Sequence, residues 1–182
     1  TPPLTKFFLI VTAFGSLEAI VLLGVVVAAL LAWRRMWMLL VTWLAAVAGS
    51  ALLDRLLKEF FHRPRPHFAH PLLVETSYSF PSGHAMESFV AYGMLAYFAV
   101  LALRTWKARV AVVCGAGLLV VLIGFSRMYL GVHYFSDVLA GYAAGGVWLS
   151  ALITGAETIR RGKKETKPTD RTSENLPSTH SG

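Results

Sequence analysis

The chain has 182 residues, 55% of them hydrophobic and 15% charged, with a formal net charge of +7. That balance excludes a soluble domain of this length and marks an integral membrane protein. The positive charge is accounted for by membrane orientation and anionic headgroups, so it implies no nucleic-acid partner, and the lone Cys114, inside an apolar run, excludes an intrachain disulfide.

Residues 1–16, TPPLTKFFLIVTAFGS, lack the basic opening, short apolar core and small-residue cleavage site of a signal peptide. They suit a helix at the interface or an extension of the first span, and an opening on Thr1 rather than Met leads us to expect a further segment upstream. Five apolar runs follow, at 17–33, 36–57, 83–103, 109–125 and 135–155, each near the length that crosses ~30 Å of hydrocarbon as a helix. They show none of the polar alternation of a β-barrel. The expected fold is all-α, a polytopic transmembrane helical bundle, with the membrane domain at 1–159. From Arg160 to Gly182 the composition turns basic and polar, and this stretch is expected to be a disordered cytoplasmic tail.

Basic clusters punctuate the runs: Arg34 and Arg35, then Arg104, Lys107 and Arg109, then Arg160, Arg161, Lys163 and Lys164. All fall on one face, which the excess of Lys and Arg marks as cytoplasmic, leaving loops 58–82 and 126–134 outside. Trp33, Trp37, Trp43 and Trp106 read as an interfacial belt at the cytoplasmic boundary. Gly141 and Gly145 form a small-residue pair that permits close helix approach. Glu18, an acid in the first span, is read as a snorkelling or paired carboxylate near the site.

The outward loops carry the chemistry. KEFFHRPRP runs from Lys58 to Pro66, with Asp54 one turn before Lys58 and spaced to pair with it. PSGH occupies 81–84, and SRMYLGVHYFSD runs from Ser126 to Asp137 through a turn at Gly131. Arg65 and Arg127 offer planar forks for phosphoryl oxygens, and Lys58 adds a point charge. Pro-Ser-Gly starts a helix whose first N–H groups and Ser82 hydroxyl face an anion, and Gly83 lets the backbone approach it. His84, in the first turn, suits a general acid. His133 and Asp137 share a helix face at a spacing of four, so the carboxylate can hold one imidazole nitrogen while the other attacks phosphorus.

His62, His67 and His70 are read as headgroup contacts. A zinc reading is set aside, because the chain has no spare Cys and cations surround the site; no metal or other cofactor is expected.

The three motifs, Lys58-x6-Arg65-Pro66, Pro81-Ser82-Gly83-His84 and Ser126-Arg127-x5-His133-x3-Asp137, resemble the signatures of the type 2 phosphatidic acid phosphatase superfamily, over residues 58–137. The resemblance is to its bacterial membrane branch of phosphatidylglycerophosphate and undecaprenyl-pyrophosphate phosphatases. It implies a metal-independent phosphatase built as a helical bundle, usually of six membrane helices, with five visible here and a sixth before Thr1. By the same resemblance His133 is the nucleophile, Asp137 orients it, His84 protonates the leaving oxygen, and Lys58, Arg65, Ser82, Gly83 and Arg127 bind the phosphate.

The expected function is hydrolysis of a lipid phosphate or pyrophosphate at the outer face of the cell membrane, among membrane lipids and without an obligate protein partner. Two other readings stand beside it: an enzyme acting on a soluble phosphomonoester or transferring phosphate to another acceptor, and a non-enzymatic bundle that holds an anion. The last gives no reason for a His-x3-Asp pair beside a capped histidine.

Overall fold

The computed structural model describes residues 2–66, 73 and 75–165, so His67, His70 and the chain after Glu165 lie outside it. Six helices follow in order: α1 (Pro2–Ala13), α2 (Leu17–Trp33), α3 (Trp37–Phe61), α4 (Gly83–Ala102), α5 (Trp106–Tyr129) and α6 (Phe135–Glu165). The last four are each long and apolar enough to cross a membrane, and α1 with α2 forms a fifth span if the pair, bent by 41°, is counted as one. The protein is a multi-pass membrane protein.

Local chemistry explains the breaks. Residues Phe14 to Ser16 close tight turns onto Val11, Thr12 and Ala13, and the Ser16 hydroxyl then accepts the Ala19 N–H to cap α2. The opening segment is thus a helix of its own, bent from α2 rather than continuous with it. Between α2 and α3, Arg35 takes a left-handed φ of 54° and Met36 N–H reaches back to Leu31 O, the bond pattern that closes helix ends. His62 ends α3 in the same left-handed region, and Pro64 prevents continuation.

Three of the sequence expectations need correcting. Helix α6 continues six residues past Ile159, held by Arg160 donating to Glu157, which also accepts from Tyr97 on α4. Trp43 is not interfacial: it is 0% exposed, in a core with Ile20, Ala46, Val90 and Met94, and its indole N–H donates to Gly24 O at 2.9 Å. Trp33, Trp37 and Trp106 are exposed, as a belt requires. Glu18 is exposed in the first turn of α2, where it complements the helix dipole, and does not line the cavity described below.

Helix α4 runs through the middle of the bundle against α3, α5 and α6. Its contact with α6 is backbone-close. A Cβ on Gly141 would stand 2.7 Å from Ser82 O, and one on Gly145 would stand 3.0 Å from Met86 O. The small residues therefore bring the start of α6 against the start of α4, where the PSGH segment lies.

Candidate active site

Two helix-end structures set the histidine of the third motif. At the end of α5, Gly131 adopts φ 75°, its N–H donates to Met128 O, and the Val132 N–H donates to Arg127 O. This glycine closure turns the chain back toward the loop after α3. At the start of α6, Asp137 accepts the Tyr134 N–H at 2.9 Å, the reciprocal bond of a capping box. His133 thus precedes α6 rather than sharing its face with Asp137. The pairing survives: Nδ1 lies 3.5 Å from Asp137 Oδ2, and Nε2 lies 3.2 Å from Arg65 NH1.

Asp137, 0% exposed, is held from every side. Arg63 donates to Oδ1 at 2.7 Å while stacking on the Tyr134 ring, and the buried Ser79 hydroxyl donates to Oδ2 at 2.5 Å. Its backbone carbonyl accepts the Ser82 N–H at 3.0 Å, tying the third motif to the second. Ser82 is consequently sealed rather than outward-facing, and the N–H groups of Gly83, His84 and Ala85 are the ones the helix leaves without an intrahelical acceptor.

Lys58, near the end of α3, pairs with Asp54 at 2.7 Å as its spacing predicts. The pair is pressed against the start of α4, since a Cβ on Gly83 would be 3.1 Å from both Lys58 Nζ and Asp54 Oδ2. A side chain there would have to displace the ends of both charged groups by a few tenths of an ångström. Arg65 anchors the loop by donating to Ser77 O and Val132 O. Arg127, 1% exposed, donates through NH1 to Thr12 of α1 at 2.9 Å.

The sequence reading missed Glu75. Its carboxylate bridges the two arginines, accepting from Arg65 NH2 at 3.1 Å and from Arg127 NH2. The bridge leaves Arg65 NH1 beside His133 and Arg127 Nε without a partner. Glu75 therefore takes one terminal nitrogen of each guanidinium and fixes the two side chains relative to one another. Thr12 and Ser79 were also missed, and Arg63 was read only as part of the KEFFHRPRP loop, with no role of its own. None of the four carries a spacing signal.

Electrostatics separate the groups. Burial, with Arg65 and Arg127 adding to it, depresses the His133 imidazole below its usual value against the pull of Asp137. A neutral imidazole is what nucleophilic attack needs. Burial opposes ionisation of Glu75, but Arg127, Arg65 and His84 outweigh it and hold that carboxyl below the usual carboxylate range.

Among the described residues, four buried side-chain atoms make no hydrogen bond: Asp54 Oδ1, Ser82 Oγ, Arg127 Nε and His133 Nδ1, the last of which has only its 3.5 Å ion-pair contact with Asp137. All belong to the three motifs or the Lys58 pair. Each such atom costs about 1–3 kcal/mol, and their concentration at the motifs, and not in the core, sets this end of the bundle apart. Asp54 and His133 line a cavity of about 590 Å³ walled also by Lys58, Arg65 and His84, by Glu75 and Tyr78 of the loop, and by Ala51 and Glu87 of the spans.

Known proteins share this organisation. Over 131 residues the chain is 44% identical to phosphatidylglycerophosphatase B of Bacillus subtilis, covering 71% of this chain and 61% of that protein. Over 144 residues it is 32% identical to an undecaprenyl-diphosphatase of Sulfolobus acidocaldarius, covering 76% and 65%. The chain thus spans less than two thirds of either curated relative. The crystal structure of a transmembrane PAP2-type phosphatidylglycerolphosphate phosphatase from Bacillus subtilis superposes with a TM-score of 0.81 at 37% identity, over 88% of this chain and 80% of that one. Since the model of the PAP2 superfamily matches residues 39–161, more than half of the sequence, the chain belongs to that superfamily.

Proposed function

We propose that the protein hydrolyses a lipid phosphate or diphosphate through a phosphohistidine. The observation that carries this is an imidazole backed by Asp137 on one nitrogen and facing, with the other, a cation-lined cavity at the ends of membrane helices. His133 Nε2 attacks phosphorus as the ester bond breaks, and His84 gives its proton to the departing oxygen. Water, deprotonated by His84, then displaces phosphate from His133. Lys58, Arg65, Arg127 and the N–H groups at the start of α4 take the charge on the equatorial oxygens, so no divalent ion is required. The relatives' names, phosphatidylglycerophosphatase and undecaprenyl-diphosphatase, support a lipid substrate.

The test is phosphate release from phosphatidylglycerophosphate, undecaprenyl diphosphate, phosphatidic acid and a water-soluble ester, with and without EDTA. Release from the lipids that persists in EDTA is expected; activity confined to the soluble ester, or lost to EDTA and restored by a divalent ion, overturns the reading. The site belongs on the extracytoplasmic face of the cell membrane, on the asymmetry of basic residues. In a Cys114→Ser background, His62→Cys should react with an impermeant thiol reagent on intact cells and Lys107→Cys should not.

A further inference from the structure

Glu87 stands on α4 one turn beyond His84, on the wall of the same cavity. Its side chain is half-buried, and none of the described residues forms a hydrogen bond or ion pair with it. The other acids of that wall are engaged: Asp54 holds Lys58, Glu75 bridges the arginines, and Glu59 lies 3.8 Å from His62. An unpaired carboxyl at the depth of a membrane span is costly and, as a rule, functional. Here it also lines a cavity that must admit an anion, so its use is not to bind phosphate.

Position narrows the use. Residues three apart on a helix are neighbours, so Glu87 lies on the face of His84, displaced into the span. The charges that act on it from the same wall are Asp54, Arg55 and Lys58 of α3, none within ion-pair distance, and Gly15, Leu17 and Ala51 complete the wall without polar side chains. A phosphate held between His84, His133 and Arg65, with its acyl chains in the bilayer, has its ester carbons on this side.

We propose that Glu87 determines specificity by accepting a hydrogen bond from a hydroxyl beside the esterified carbon. The preferred substrate is then a lipid phosphomonoester borne on a polyol headgroup. A phosphate attached to fully acylated glycerol, or to a second phosphate on an isoprenoid, offers no such hydroxyl and leaves the carboxyl unpaired, which is how polar sites reject analogues that lack a group. This inference rests on the hydrolase reading above.

The experiment compares kcat/KM of the full chain on phosphatidylglycerophosphate with that on phosphatidic acid and undecaprenyl diphosphate, for Glu87→Leu and Glu87→Gln. In Glu87→Leu the preference for the hydroxyl-bearing lipid over either other substrate should fall about tenfold, the worth of a hydrogen bond to a buried carboxyl. Glu87→Gln keeps an accepting oxygen and should hold the preference within about threefold of the parent. Inhibition by vanadate reports an intact phosphate cradle in each variant, and Glu87→Ala replaces Glu87→Leu if the latter fails to fold. An unchanged preference with vanadate inhibition retained, or a parallel loss on all three lipids, overturns the assignment. If the parent releases phosphate from none of them, or His133→Ala remains active, the hydrolase reading falls instead.

Discussion

The two ends of this bundle treat their polar atoms in opposite ways. Around Trp43 and toward the end of α6, polar side chains find partners: Trp43 donates to Gly24 O, Trp148 of α6 to Ala46 O, and Tyr97 and Arg160 converge on Glu157. At the motif end, four buried side-chain atoms among the described residues make no hydrogen bond. The contrast separates what holds the fold from what the fold holds. The packed half supplies the rigidity that lets the other keep Arg127 and His133 incompletely bonded in a fixed geometry.

The largest effect should come from the motif end. His133→Ala is expected to lower turnover at least a thousandfold, roughly the scale for losing a nucleophile, and to abolish any acid-labile phosphoenzyme. His84→Ala should cost about 10²–10⁴-fold on a lipid ester but markedly less on a nitrophenyl phosphate, whose leaving group needs no proton. Trapping of labelled phosphate by the His133 variant but not by the His84 variant would reverse the two roles.

Glu75→Gln comes next. It keeps the shape of the clamp but removes the charge that bridges Arg65 and Arg127, so kcat/KM and the affinity for vanadate should fall together by about tenfold or more. Loss of kcat/KM with vanadate affinity intact would show that the clamp does not position the forks.

A smaller shift should appear in the pH profile. Attack needs neutral His133, whose imidazole is held below the usual 6.5 first by burial and then by Arg65 and Arg127. The acid limb of kcat/KM set by that group should therefore lie below pH 6.5, with activity lost as pH falls through the depressed value. Arg65→Gln removes one opposing charge and should move the limb upward, whatever it does to the plateau. An acid limb that moves downward in this variant contradicts the electrostatics.

The smallest change should come from the satisfied half. Trp43→Phe removes one buried hydrogen bond while keeping an aromatic ring, lowering stability by about 1–3 kcal/mol in a thermal melt and leaving kcat/KM unaltered. A loss of activity at full stability would join the two ends that the comparison separates.

What could be read without coordinates followed range. The spans, the Lys58–Asp54 pair, the turn at Gly131 and the His133–Asp137 spacing are local patterns, and local periodicity encodes them. Thr12 and Glu75 reach Arg127 across 115 and 52 residues, and Ser79 reaches Asp137 across 58. No spacing rule connects such pairs, and a lone Thr or Glu in a loop resembles any other. Trp43 was misplaced for a different reason: an aromatic ring with one N–H suits a headgroup belt and a buried carbonyl equally well. The end of α6 was set too early because Arg160 reads as a tail residue until Glu157 and Tyr97 are seen beside it.

The clamp on Arg127 also bears on the order in which the protein is made. Translation proceeds from the amino terminus, so Thr12 and Glu75 leave the ribosome before the arginine they hold. A guanidinium carried on an apolar helix costs about 2.5–3.5 kcal/mol at mid-bilayer by insertion scales. When α5 delivers it, its acceptor and its counter-ion have already been synthesised. Asp137 comes last and finds Arg63 and Ser79 in existence, so insertion of α6 is the step that completes the His133–Asp137 pair. Until then His133 lacks the carboxylate that holds its Nδ1, and a nascent protein halted before α6 is expected to bind phosphate without being able to cleave it.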